Sequence, residues 1–167
     1  MKMNNLHLIV SADNDWGIGK DGELLFPIKQ DMARFRELTV GNIVIMGRKT
    51  LNSLPNGKPL PDRVNIVLTH DKNFTCENVT VCHSVDELAD TVHAYPQKQA
   101  FVIGGGEIYR LLLPYCNTAY ITRVDAVKSA DTHMANLDVN TNWALKEQSG
   151  ELTENGISFT FCIYKRT

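Results

Sequence analysis

Residues 100–113 read AFVIGGGEIYRLLL. Ala100–Gly104 is an apolar run too short for a helix, so it predicts a strand. Glycines fill 104–106, and Gly106-Glu107-Ile108 then leads into a helix through Tyr109–Leu113 that Pro114 ends. A strand entering a helix through a tight turn is the repeating unit of an α/β protein. The runs LHLIV (6–10), IVIM (43–46), VNIVL (64–68), VTVC (79–82) and AYITRV (119–124) are rich in Val and Ile and predict further strands. Several are near-continuously apolar, as in a sheet covered on both faces.

Toward the end of the chain the pattern changes. Ile157, Phe159, Phe161 and Ile163 alternate with Ser158, Thr160, Cys162 and Tyr164, which predicts a half-buried antiparallel strand near an edge. A strand around Trp143–Ser149 and a turn at Glu154-Asn155-Gly156 predict a closing hairpin before it. Ser84-Val85-Asp86-Glu87 is a capping box, with Val85, Leu88 and Val92 on one helical face. The expected fold is α/β: a central, mostly parallel sheet of about eight strands with an antiparallel C-terminal edge strand, flanked by about four helices. With 167 residues, no repeat and no linker, one domain over 1–167 is expected.

Composition excludes several classes. Net charge is −2, which gives no basic surface for nucleic acid or anionic membrane. No apolar run is long enough to span a membrane, and no export signal opens the chain, so a cytoplasmic protein is expected. The four cysteines are widely spaced and the five histidines show no ligand spacing, so reduced thiols and no metal are expected.

The segment Ile28–Leu38, IKQDMARFREL, predicts a helix. At about 100° per residue, Ile28, Met32, Phe35 and Leu38 form one apolar arc. Lys29, Gln30, Ala33, Arg34, Arg36 and Glu37 fall on the other side. Asp31 lands inside the apolar arc. Two readings are open: an acid near a helix N-terminus meeting the dipole, or an acid kept in a cleft, desolvated and useful for binding or moving protons.

Two further loops point to a ligand. Asp13–Gly22 is rich in turn residues and predicts a mobile connection over a site, although Trp16 and Ile18 are large for an ordinary surface loop. Met46-Gly47-Arg48-Lys49-Thr50 brings a glycine, two cations and a hydroxyl to a strand–helix junction, a composition suited to phosphate. The turn Ile103–Glu107 is neither the dinucleotide fingerprint G-x-G-x-x-G, since residue 109 is Tyr, nor a P-loop.

Trp16–Gly19, Asp31 with Phe35, Val44–Thr50, Pro59–Arg63, Val102–Tyr109 and Asp131–His133 occur in the order of the motifs of bacterial chromosomal dihydrofolate reductases. The chain resembles that family over nearly its whole length. The resemblance implies reduction of dihydrofolate to tetrahydrofolate for one-carbon metabolism, in a family that antifolates target. NADPH would give hydride to pterin C6 while a proton reaches N5. Asp31 resembles the acid that pairs with pterin N3 and the 2-amino group, and Thr122 the hydroxyl that supports it. Ile9, Ser11, Met32, Phe35, Leu54, Leu60, Ile103 and Tyr109 resemble substrate-pocket positions. Arg63 resembles the clasp for the α-carboxylate of the glutamate tail. Cofactor positions would be Ser11, Ile18, Gly19, Gly47, Arg48, Lys49, Thr50, Thr69, His70, Gly105, Gly106 and Tyr109, and Asp131 would support the mobile segment. The resemblance further implies a monomer whose partner is dihydrofolate, beside the absence of metal, nucleic acid and membrane expected from composition.

Some positions depart from the family. Leu25-Phe26 stands where relatives carry Pro-Trp, and Phe26 has no indole N–H to offer a water near the substrate. Glu107 and His83 replace basic residues, leaving the preference for NADPH to Arg48 and His70. The alternatives are the pyrimidine reductase of riboflavin synthesis, disfavoured by Asp31 and Arg63, and a non-catalytic folate- or nucleotide-binding protein on the same scaffold.

Overall fold

The computed structural model describes Met3 and residues 5–167. The first half holds β1 (Leu6–Ala12), β2 (Gly17–Lys20), β3 (Glu23–Leu24), α1 (Lys29–Thr39), β4 (Ile43–Gly47), α2 (Arg48–Ser53), β5 (Val64–Leu68) and β6 (Val79–Cys82). The second holds α3 (Val85–His93), β7 (Ala100–Gly104), α4 (Gly106–Leu112), β8 (Thr118–Val124), β9 (Thr132–His133), β10 (Trp143–Gln148), β11 (Leu152–Glu154) and β12 (Ile157–Arg166).

The main sheet runs β10-β12-β8-β1-β7-β4-β5-β6, with β11 also paired to β12. Every pairing from β8 to β6 is parallel. The C-terminal β12 is antiparallel to its neighbours, as its alternating pattern predicts, and the predicted hairpin partner lies outside it as β10 and β11.

The continuous apolar runs have the reason expected of them. On β4, Ile43 and Ile45 enter one core cluster with Leu8, Leu88 and Leu112, while Val44 and Met46 enter another with Leu51 and Val67. Both faces of the strand are covered, so neither can be polar. α3 starts as read: Ser84 Oγ accepts from Glu87 N at 3.1 Å, and Glu87 reaches back to the His83 N–H. Cys82, Cys116 and Cys162 are buried, and all four cysteines are free.

The reading of Asp13–Gly22 changes. Rather than a bare loop, it contributes β2 to a three-stranded sheet, β3-β2-β9, and buries Trp16 and Ile18. Asp13, 1% exposed, organises its start by accepting from the N–H groups of Asp15, Gly17 and Lys128. Asp131 holds its far end, accepting from Asp21 N at 2.9 Å. Short pieces become strands here because distant partners supply their hydrogen bonds.

Candidate active site

β1, β7 and β4 are neighbours in the sheet, and each runs into a segment carrying candidate residues. After β1 come the small sheet and α1, after β7 the glycine turn and α4, and after β4 the helix α2. In open α/β sheets ligands collect in the crevice beyond such carboxyl ends.

The N-cap position of α1 is Ile28, which offers no side-chain acceptor. The first helical N–H groups are capped from a distance by Glu154, whose oxygens accept from Lys29 at 2.6 Å and Gln30 at 3.1 Å. Asp31 is thereby released from capping and turns to the sheet. Thr122 Oγ1 donates to its Oδ1 at 2.5 Å. Thr122 is 3% exposed and stands in register with Ser11 on β1. Burial lifts the Asp31 carboxyl above its ordinary 3.8, opposed by the Thr122 bond and by the charge of Arg34. Of the two open readings, the cleft acid is the one this arrangement fits.

The Lys29 and Gln30 N–H groups hold the Glu154 carboxyl below its ordinary 4.5. A carboxyl depressed on folding lends stability above its unfolded value and loses it as pH falls through the folded one. Glu154→Ala is therefore expected to lower the melting temperature at neutral pH. In thermal melts across a pH series, the gap to the parent should close on acidification.

The helical arc needs correcting at two positions. The inward stripe of α1 is Asp31, Arg34, Phe35, Leu38 and Thr39, spaced i, i+3, i+4, i+7, i+8. Arg34, read as part of the polar side, stacks its guanidinium on Phe161 at 4.4 Å and lies over Tyr120 at 5.7 Å. Met32, read as core-facing, is 58% exposed. A helix beside a cleft need not bury its apolar residues against protein, and Met32 leaves such surface free.

At the far end of α1, Arg63 donates to the Pro61 carbonyl at 2.9 Å and to Thr39 Oγ1 at 3.1 Å. No carboxylate pairs with it among the described residues. Its pKa is lowered by burial and by Arg36 nearby. It lines a groove of about 700 Å³ with Lys58, Leu60 and Asn65. A fixed, half-buried guanidinium lacking a counter-ion suits an anionic ligand group. Leu54, Leu60 and Ile103 pack half-buried on the second core cluster.

The glycine turn lies against α2. Gly104 has φ +134°, closed to other residues, and a Cβ there would lie 3.4 Å from Thr50 Oγ1. The Gly104–Gly105 peptide is cis. A Cβ on Gly106 would come within 2.6 Å of Thr132 Cγ2, so the small sheet abuts the turn only because residue 106 has no side chain. Tyr109, 6% exposed, donates to the Ile9 carbonyl at 2.8 Å, tying α4 to β1. Arg48 pairs with Asp71 at 2.7 Å and lies over Phe74, while Lys49 and His70 are exposed nearby in sequence and Thr69 is half-buried. Ile18 is buried on β2 with Gly19 beside it. Phe26 is buried, with the Lys128 ammonium 4.5 Å over its ring and donating to the Leu25 carbonyl.

Thus Asp31, Thr122 and Ser11 form one group, Ile9 and Tyr109 another, and Thr50 with Gly104–Gly106 a third. Glu154, Asp13 and Arg34 escaped sequence reasoning. Glu154 looked like a turn residue and Arg34 like solvated charge, and no local signal marks either.

A family model described as dihydrofolate reductase matches residues 5–166. A dihydrofolate reductase of Bacillus subtilis is 33% identical over 163 residues, covering 96% of this chain and 94% of that protein. A bifunctional dihydrofolate reductase-thymidylate synthase of Glycine max is 36% identical over 176 residues, covering 95% of this chain. The chain spans about a third of the length of such bifunctional relatives. Among solved structures, a dihydrofolate reductase from Enterococcus faecalis complexed with NADP(H) and RAB-propyl superposes with a TM-score of 0.86. It is 28% identical, over 99% of this chain and 98% of that one.

Proposed function

The chain belongs to the dihydrofolate reductase family, and from that footing we propose that it reduces dihydrofolate to tetrahydrofolate with NADPH. The observation that carries this reading is the desolvated Asp31 carboxylate, its Oδ1 bonded to Thr122. Among the described residues no protein donor reaches its other oxygen. A flat heterocycle with adjacent N–H groups, such as the pterin N3 and 2-amino group, meets that oxygen and the edge of the carboxylate.

The residues fit the cofactor. A Cβ on Gly105 would meet only Thr50 Oγ1, at 3.6 Å, so the turn's backbone is open to a close-lying group. Gly47, Arg48, Lys49, Thr50, Thr69, His70, Gly105 and Gly106 would hold its phosphates with backbone N–H, hydroxyl and positive charge. Ile18, Gly19, Ser11 and Tyr109 would flank the nicotinamide. When bound, NADPH would supply the hydride for pterin C6.

The chain's own residues position and protonate. Asp31 anchors the pterin and its negative charge favours a proton at N5, delivered through water. Thr122 fixes the carboxylate's orientation, and the Tyr109–Ile9 bond sets one wall. Phe26 donates no hydrogen bond to the water route, so that route depends on other groups. Ile9, Met32, Phe35, Leu54, Leu60 and Ile103 give the apolar walls, and Arg63 takes the glutamate α-carboxylate. On the same reading, residues 1–167 act as one domain and as a cytoplasmic monomer. No helix among the described residues is long and apolar enough to cross a membrane.

Purified protein should deplete NADPH absorbance only when dihydrofolate is present. Tight binding of both without turnover would favour the non-catalytic alternative. Arg63→Leu should raise the KM for dihydrofolate by roughly ten- to a hundredfold, the worth of charged hydrogen bonds. A pterin without the glutamate tail should be unaffected, and equal losses for both would contradict the assignment.

A further inference from the structure

Asp31 and Arg34 stand three residues apart on the inward stripe of α1, close enough on a helix to ion-pair. They do not. Among the described residues the ion pairs are Arg48–Asp71 and Arg123–Asp138. The Arg34 guanidinium instead lies on Phe161, with Tyr120 beside it. Phe161 is the register partner of Thr122, the residue that donates to Asp31. Carboxylate, hydroxyl, aromatic ring and guanidinium therefore occupy one stretch of the interface between α1, β8 and β12.

The arrangement has an electrostatic consequence. A fork-to-fork ion pair would occupy both carboxylate oxygens and leave none for a ligand. A guanidinium held on aromatic faces keeps its charge near the acid without spending those oxygens. The pair is partly buried, so solvent and salt screen the attraction less than at an open surface. The surroundings offer little competition. Tyr109 reaches in from α4 with its hydroxyl engaged by Ile9. From β8 come Thr122 and Tyr120, from β12 Cys162, and from β1 His7, which packs on Tyr120. Glu37 lies one turn along α1 from Arg34, and Glu154 is engaged at the helix start. Arg34 is the cation that acts on Asp31.

We propose that Arg34 is a positioning residue for the Asp31 site: held off on Phe161 and Tyr120, it stabilises the anion at a distance and leaves the carboxylate's second oxygen to the substrate. This rests on reading Asp31 as the substrate-binding acid. It adds a residue whose effect is felt through charge alone.

The test is a pH titration of the Asp31 carboxyl carbon by NMR, in ligand-free parent, Arg34→Gln and Arg34→Lys, beside pH profiles of kcat/KM. Arg34→Gln should move the Asp31 midpoint upward by about half a pH unit or more. The acid limb of kcat/KM should move with it. Arg34→Lys should restore most of both. An unmoved midpoint in Arg34→Gln, or an equal shift in Arg34→Lys, overturns the proposal. Arg34→Met, which keeps the stem that packs on the rings, replaces Arg34→Gln should that variant not fold. A parent without turnover overturns the proposed function, while the titration still judges Arg34.

Discussion

Asp31→Asn is expected to cost roughly a hundred- to ten-thousand-fold in kcat/KM for dihydrofolate at neutral pH, the range typical of losing a group that handles a proton. The amide keeps the size of the carboxylate and can still accept from Thr122, so the pocket should survive. What disappears is the negative charge that favours protonation at N5. Stability should move the other way. Burial raises the Asp31 pKa above 3.8, so the folded state holds its proton more tightly than the unfolded chain does. Ionisation therefore weakens the fold as pH rises through that window. Asp31→Asn removes the penalty, and its melting temperature at neutral pH should exceed the parent's, with the two converging in acid. NADPH affinity should stay close to the parent's. Near-normal turnover would sink the role assigned to Asp31.

His7→Phe should remove one component of the protein's acid sensitivity, the loss of stability between pH 6.5 and about 4. His7 is 8% exposed on β1, packed between Phe101 at 5.2 Å and Tyr120 at 5.8 Å. Burial first, and the Lys165 charge second, lower its pKa from 6.5 to about 4. The unfolded chain thus binds a proton between those values that the folded protein refuses. Stability from this residue is complete above pH 6.5 and falls by about 3 kcal/mol as pH drops toward 4. Phenylalanine keeps an aromatic ring against both neighbours and has nothing to titrate. Urea unfolding of parent and variant at a series of pH values isolates the effect, because the carboxylates are common to both. Parallel curves would contradict it.

The two residues show what a linear reading can and cannot do. The strand, glycine turn and helix of residues 100–113 were legible because their signals are local: apolar run, breaker, periodicity. Asp31 was conspicuous because an acid broke an apolar arc, yet its partner Thr122 lies 91 residues away and only the family resemblance joined them. Arg34 falls on the polar side of a helical wheel because the wheel sorts residues by polarity, whereas the sheet beneath α1 presents aromatic faces that accept a cation. The strand within Asp13–Gly22 carries little local signal, because Gly17 and Gly19 pair with His133 and Thr132 far along the chain and nearby only with the two-residue β3. The cap on α1 was invisible for the same reason, since Glu154 neither precedes the helix nor resembles a capping motif.

That remote cap ties the assembly of the site to the order in which the chain is made. α1 has no side-chain cap of its own, and the acceptor for its first turn lies 125 residues further along. β12 likewise slots between β8 and β10, so the strand bearing Thr122 lacks one neighbour until residues 157–166 arrive. Contacts of such sequence separation form slowly. A ribosome-bound nascent chain that stops short of β11 should therefore hold the parallel core without a competent acid, and ligand binding should switch on only after the closing hairpin has emerged.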